Sequence, residues 1–358
     1  MESNTSSKRL QFWIGMIVSI VCLAAVFIFV NPTEIITTMA NTHYELWLLA
    51  VLSLLAFMVL RAIRWRFMLN SGLPDSEQLR FGAVFHIQNI GYFLSNILPF
   101  RLGDVARAVL IGSVPPMTIS RGLSTMVAER VFDLAFIVLL FPFTLGGVAR
   151  VPSEVNLVVR GASLASLVAI IVLIGAANQR ERAIRLASAL LQRIPRINAA
   201  SWTRRLDDLL LGLDSLTRPK DGLVLLLLSV AVWLPIIGGY YLGLQAVNLD
   251  VDLQQAAFVV CIAAFSVTAP SSPGQVGVFE ASVTFAIASI LGLPEAQAAA
   301  FAVLYHVINY IVLGILGIIG ISRTGETFSN VVASARSIVR PQSQEVGLPP
   351  TEEPTAEP

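Results

Sequence analysis

The run LVLLLLSVAVWLPIIGGYYLGLQAV, Leu223 to Val247, carries no charge and is long enough to cross a bilayer as one helix. In hydrocarbon every backbone N–H and C=O must find its partner inside the chain, so such a run is read as helical. The pattern recurs. Phe12–Val30, Tyr44–Met68, Phe132–Val148, Val155–Ala177 and Ala298–Ile321 are further apolar runs of about spanning length. Hydrophobic residues fill 55% of the 358 positions and charged ones 13%, about half the usual share for a soluble domain. The expected class is an all-α, polytopic transmembrane helix bundle in the cell membrane.

Lys8 and Arg9 precede the first run as in a signal peptide. The run itself is about 20 residues, whereas a signal h-region is about 7–15, so it is read as a retained first helix. Cys22 and Cys261 lie in apolar runs without metal or disulfide spacing and read as free packed thiols. His43, His86 and His306 are too scattered to propose a metal, and no cofactor is expected. A net charge of +1 implies no nucleic acid partner.

Two apolar stretches are broken. Phe81–Leu98 runs into NILPFRLGDVAR, Asn96–Arg107, and Leu253–Leu291 is interrupted by APSSPGQVG, Ala269–Gly277. Pro99 and Gly103 mark the first break; Pro270, Pro273, Gly274 and Gly277 mark the second, where no helix continues. Lys and Arg set the orientation. Loops Asn31–His43 and Asn248–Asp252 have none, while Asn178–Asp221 holds eight Arg and one Lys, and Arg323, Arg336 and Arg340 follow the last span. Both termini and the central loop are therefore expected on the cytoplasmic side, with Arg150 and Arg160 as exceptions. Counting crossings then leaves each broken stretch beginning and ending on one face. Each is either a re-entrant segment, one from each face, or a pair of full crossings. Irregular backbone at membrane depth is tolerated only where protein or a wet cavity satisfies it, and transporter sites are often built from such breaks.

The expected organisation is a membrane domain over 1–325, containing a cytoplasmic amphipathic loop at 178–221, and a disordered cytoplasmic tail over 326–358. In the loop, Ile184, Ala187, Leu190, Leu191 and Ile194, and then Trp202, Leu206, Leu209, Leu210, Leu213 and Leu216, recur at helical spacing. They form two amphipathic helices, lying on the inner leaflet or packed on the protein itself. Gln342–Pro358 is rich in Pro and Glu, as disordered segments are.

The few charges within the membrane part concentrate in three places. In a helix starting after Pro99, Arg101, Asp104 and Arg107 are spaced by three, which stacks Asp104 between two guanidinium groups. One Arg then has donors to spare for a phosphate. Glu129, Arg130 and Asp133 open an apolar run. Glu129 and Asp133 share a face and need a cation between them, from Arg101, Arg107 or Arg130. Arg61, Arg64 and Arg66 form a basic face ending the second span. In the second break, Ser271, Ser272 and the amides of a helix starting near Gln275 make a candidate anion site. Glu280 follows in the hydrocarbon zone, where an ionisable group costs roughly 2.5–3.5 kcal/mol and needs a partner. Tyr305, His306 and Asn309 are polar positions in the last span. Each group also has a purely structural reading: an interfacial turn, a buried salt-bridge knot, a packing break or a packed histidine. Their joint occurrence favours function.

These motifs, Asn-x-x-Pro-x-Arg-x-Gly-Asp-x-x-Arg at Asn96–Arg107, Glu-Arg-x-x-Asp at Glu129–Asp133 and Pro-Gly-x-x-Gly-x-x-Glu at Pro273–Glu280, resemble the lysylphosphatidylglycerol synthase transmembrane region, a flippase-like family of integral membrane proteins. The resemblance runs over about residues 10 to 325. It implies lipid transport between leaflets, or a membrane partner role beside lipid-modifying and glycosylating enzymes. Relatives usually have Gly-Glu at Gly103-Asp104 and often Arg in place of His306. In synthase relatives a separate soluble domain performs aminoacyl transfer, and neither the central loop nor the tail resembles it, so the chain is not expected to be such an enzyme.

The resulting expectation is a carrier of an anionic phospholipid or an isoprenoid (polyprenyl-phosphate-linked) lipid. Arg101, Arg107 and Arg130, with Ser271 and Ser272, would meet the phosphate. Asp104, Glu129, Asp133 and Glu280 would balance charge, and Glu280 or His306 would carry a coupling proton. The alternatives are a lipid-phosphate transferase using the paired carboxylates, and a scaffold for a glycosyltransferase or lipid-modifying enzyme.

Overall fold

The computed structural model describes residues 3–98, 102–148, 161, 164, 167–168, 171–172, 175–176, 178–192, 198–212, 218–266 and 271–339. The described elements are helical: α1 (Ser3–Phe29), α2 (Pro32–Ala40), α3 (Tyr44–Asn70), α4 (Phe81–Ile97), α5 (Leu102–Gly112), α6 (Ile119–Thr144), α7 (Arg180–Leu191), α8 (Ala199–Gly212), α9 (Pro219–Ala246), α10 (Leu253–Ser266), α11 (Val278–Phe285), α12 (Glu295–Thr324) and α13 (Phe328–Val339). The chain is a polytopic membrane helix bundle with two broken segments. Among the described residues, α3, α9 and α12 are long and apolar enough to cross a membrane, and α1 and α2 are long and apolar enough only together, with a bend of 83° between them.

Local chemistry sets the boundaries. The Asn31 side chain accepts from the Thr33 amide at 3.0 Å and Pro32 takes the first helical position of α2, so the stretch expected as an outer loop is a short helix instead. Thr42 and Trp47 pin the start of α3 to the end of α9: Thr42 Oγ1 donates to the Ala246 carbonyl at 2.7 Å and accepts from Trp47 Nε1 at 2.8 Å. Thr118 caps α6. That helix begins at Ile119, not near Phe132 as hydropathy suggested. Glu129, Arg130 and Asp133 interrupt the apolar run without interrupting the helix, because neighbouring helices supply their partners.

The α4–α5 segment is an antiparallel hairpin. Gly103 of α5 sits against the Gly91 carbonyl and against Ser95 of α4, so closely that a Cβ there has no room. One turn further on, Arg107 packs on Gly91. α5 measures roughly 16 Å, α10 roughly 21 Å and α11 still less, against a hydrocarbon layer of about 30 Å. None of these three helices is long enough to cross the hydrocarbon layer alone. α4 also packs antiparallel along α12, with Phe93 against Gly317 and His86 and Ile90 against Gly320.

Two apolar cores hold these hairpins. One surrounds the α10–α11 hairpin and joins Trp47, Tyr240, Phe258, Phe301 and Tyr305. The other surrounds the α4–α5 hairpin and joins Trp65, Ile90, Leu94, Ile111 and Leu210. Leu54, Met58, Val312 and Leu313 bridge α3 and α12 between them.

Two stretches outside the membrane runs are informative. Of the tail expected to be disordered from 326, Phe328–Val339 forms α13, because Val331 and Val332 bury against the first hairpin's core. Within 178–221, α8 packs on the bundle through buried Leu210, while Leu186 and Leu190 of α7 and Trp202 of α8 are exposed. The expected span Val155–Ala177 lies mostly outside the described residues, as do Ile194, Leu213, Leu216 and Gln342–Pro358.

Candidate functional site

The site is built from α3, α4, α5 and α6 behind the tip of the first hairpin. Glu129 and Asp133, one turn apart on α6, face α3. Arg61 Nη2 donates to Glu129 Oε1 at 2.8 Å and to Asp133 Oδ2 at 2.9 Å. Arg64 Nη2 donates to Asp133 Oδ1 at 2.7 Å and lies 3.4 Å from Glu129 Oε1. From the other side, Arg107 Nη2 donates to Glu129 Oε2 at 2.9 Å. The Arg107 guanidinium also lies 3.6 Å over the Trp65 ring, and Arg61 stands between Phe57 and Tyr92.

The electrostatics are unbalanced. Among the described residues, three guanidinium groups face two carboxylates, a formal surplus of one positive charge. Arg64 is fully buried, Arg107 is 1% exposed and Glu129 2%. Among the described residues, Arg64 Nε and Nη1 and Arg107 Nε have no hydrogen-bond partner, and neither do the Ser95 Oγ, Gln88 Oε1 and Asn89 Oδ1 atoms of α4. Unpaired buried charge is costly, so a net-positive, donor-rich cluster has an anion as its natural complement.

Several expectations change here. Asp104 does not pair with Arg107 of its own helix. It pairs across to Arg130 of α6, with both carboxylate oxygens 3.2 Å from Nη2, and this pair is partly exposed. Arg107 turns instead to Glu129. The cation between Glu129 and Asp133 comes chiefly from Arg61 and Arg64, which the sequence showed only as a basic span end. Their three-residue spacing on an apolar helix, opposite a carboxylate pair with the same kind of spacing, was the available signal. Arg101 and Pro99 lie outside the described residues.

The second break is a separate site. Pro270 lies outside the described residues. Ser271 and Ser272 lead into a 3-10 turn at Pro273–Gln275, and the next α-helix starts at Val278, later than the Gln275 the sequence suggested. The amides expected to hold an anion are engaged within the protein. The Ser272 N–H donates to Ser19 Oγ of α1 at 2.8 Å, and the Gly277 N–H donates to Glu280 Oε2 at 2.6 Å. The α11 N-terminus is thus capped by its own carboxylate. Ser272 Oγ donates to the Val276 carbonyl at 3.3 Å. Glu280 finds its expected partner in His306 of α12, Nδ1 to Oε1 at 2.5 Å, and His306 Nε2 lies 3.0 Å from the Gly274 carbonyl.

The two breaks meet. Gly274, at φ 70, faces Tyr310 Oη and the Asn96 carbonyl at the end of α4. A Cβ there would strike Tyr310, and the left-handed conformation disfavours any side chain.

The family described as the lysylphosphatidylglycerol synthase TM region matches residues 12–317. The chain belongs to this family. It is 25% identical over 343 residues to a UPF0104 membrane protein of Methanothermobacter thermautotrophicus, covering 91% of this chain and 97% of that one. It is 24% identical over 336 residues to Glycosyltransferase AglD of Haloferax volcanii, covering 85% of this chain but only 53% of that protein. No solved structure matches it. The family match covers both hairpins, α6 and most of α12, so the charged cluster and the junction of the breaks both lie in the family region.

Proposed function

We propose that this member of the lysylphosphatidylglycerol synthase TM region family translocates an anionic lipid between leaflets of the cytoplasmic membrane. The lipid is a phospholipid or a polyprenyl-phosphate-linked lipid, and both termini lie on the cytoplasmic side. The observation that carries this reading is the buried surplus of positive charge formed by Arg61, Arg64 and Arg107 against Glu129 and Asp133. A lipid phosphate supplies the missing negative charge and accepts from the unpartnered guanidinium N–H groups. The partly exposed Arg130–Asp104 pair is the entry to it, since Arg130 can exchange a carboxylate for a phosphate oxygen. The abutting hairpin tips divide the bundle, which suits a site open to one side at a time.

The test is transport by the purified protein in proteoliposomes. Fluorescent phosphatidylglycerol should reach the opposite leaflet faster than fluorescent phosphatidylcholine, and faster than in protein-free vesicles. Equal rates for both lipids, or rates equal to empty vesicles for these and for a polyprenyl phosphate, would remove the reading.

A second reading has its own support. The likeness to AglD, a protein named as a glycosyltransferase and matched over about half its length, favours a membrane partner or lipid-phosphate transferase working with a glycosyl- or aminoacyl-lipid enzyme. A glycosyltransferase copurifying with the tagged chain from its native membrane, combined with no transport, would favour it.

A further inference from the structure

His306 faces two acceptors, a carboxylate oxygen of Glu280 and the Gly274 carbonyl. The Gly274 carbonyl can only accept and lies 3.0 Å from His306 Nε2, so a hydrogen bond there needs a hydrogen on Nε2. Nδ1 lies 2.5 Å from Glu280 Oε1, a separation that two bare lone pairs do not sustain. Hydrogen-bonding both acceptors at once takes one proton more than a neutral imidazole beside a carboxylate holds, as an imidazolium donating to a carboxylate or a carboxylic acid donating to an imidazole. The other carboxylate oxygen is held by the Gly277 N–H. Gly274 and Gly277 both belong to the second break, so this proton ties the break to α12. Through Gly274 it also reaches the Asn96 carbonyl at the end of the first hairpin.

We propose that Glu280 and His306 form a proton-binding site that latches the junction of the two hairpins: closed when the shared proton is bound, released when it leaves. Without the proton, the neutral imidazole has one N–H for two acceptors, and one of the two contacts loses its hydrogen bond. If only a permanent strut were needed, arginine would serve better, with a charge that never leaves and donors for both acceptors. Histidine is the side chain whose charge ordinarily changes near neutral pH. The pair is nearly buried, with 11% and 7% of the side chains exposed, so no bulk water replaces the lost partner. Phe279 and Tyr310 flank the imidazole at ring distances of 4.6 Å and 4.9 Å. Among the described residues, Tyr310 is the titratable group shown against the pair; α1 contributes Gly15 and Ser19 to the break and α4 contributes Asn96, none of them charged. His306 lies roughly 17 Å along α12 from its first residue, away from both helix ends. The site itself stands apart from the lipid-transport reading; its use as a gate during transport rests on that reading.

The test needs no transport. Ser272→Cys, in a chain with Cys22 and Cys261 replaced by Ala, places a reporter thiol in the break. Its alkylation rate, normalised to the same thiol in denatured protein, should rise about tenfold between acid and alkaline buffer, the factor expected for losing one charge-assisted hydrogen bond. Glu280→Gln should abolish the pH dependence. His306→Arg should keep the rate low throughout, because its charge does not leave. Infrared difference spectra of the wild-type chain between the same buffers should show carboxyl and imidazole bands that disappear together in Glu280→Gln. A flat wild-type profile, the same pH rise in both variants, or carboxyl and imidazole bands that survive Glu280→Gln would overturn the proposal. A latch that titrates as expected in a protein that moves no lipid would remove the transport reading and leave the proton site standing.

Discussion

Arg107 of α5 and Glu129 of α6 meet at 2.9 Å with both side chains almost fully withdrawn from solvent. The contact joins the returning arm of the first hairpin to the helix behind it. It also fixes the charge count of the cluster, which gives the first prediction.

Glu129→Gln removes a carboxylate that three guanidinium groups approach and raises the formal surplus from one to two. The expected loss is about 3–5 kcal/mol, read as a lowered thermal midpoint in detergent. The double variant Arg107→Met/Glu129→Leu deletes more contacts but keeps the surplus at one. It should be more stable than Glu129→Gln. If charge balance is irrelevant, the double variant should melt lower.

Gly103→Ala drives a methyl group into the Gly91 carbonyl and Ser95, and should cost about 1–3 kcal/mol by overpacking. Gly82→Ala, on the same hairpin with open space around it, should be neutral or stabilising by about 0.5–1 kcal/mol through helix propensity. Parallel melting curves separate the two. Equal effects would mean that α4 and α5 do not pack through Gly103.

Gly274 and Gly292 share a left-handed backbone, at φ 70 and φ 71, but only Gly274 is crowded. Alanine at Gly292 should cost roughly 1–2 kcal/mol from backbone strain alone. Alanine at Gly274 should cost more, because it must also displace Tyr310 or Asn96. Similar costs at the two positions would place the hairpin tips further apart than the structure has them.

Val331→Ala should destabilise the protein by about 2 kcal/mol, since its side chain is buried against the first hairpin's core. Removing everything after 340 should leave the melting midpoint unchanged, while removing everything after 327 should lower it at least as much as Val331→Ala. A chain cut at 327 that melts like the full protein would mean α13 does not dock.

Much of this was legible in the sequence, for reasons visible in particular residues. Proline and glycine inside apolar runs announced both breaks, and charge in hydrocarbon announced Glu129, Asp133 and Glu280. Pairing was harder, because it depends on contacts between distant segments. Nothing in the spacing of Arg61 and Arg64 says that they face Glu129, 68 and 65 residues away. The ladder expected for Arg101, Asp104 and Arg107 treated the helix as if it stood alone, whereas Arg130 and Glu129 offered partners across a helix gap. The start of α6 was missed because hydropathy counts charges without their counter-charges. α13 was missed because the Pro- and Glu-rich end obscured the apolar spacing of Phe328, Val331 and Val332 just before it.

The claim that most needs testing is that surplus buried positive charge selects the lipid. The direct measurement is the ratio of anionic to zwitterionic flipping rates in proteoliposomes, for wild type, Arg107→Met and Arg107→Met/Glu129→Leu. The account predicts a ratio well above one in wild type, a ratio near one when Arg107→Met brings the surplus to zero, and recovery in the double variant. A wild-type ratio of one, or a ratio unchanged by Arg107→Met in folded protein, would contradict it.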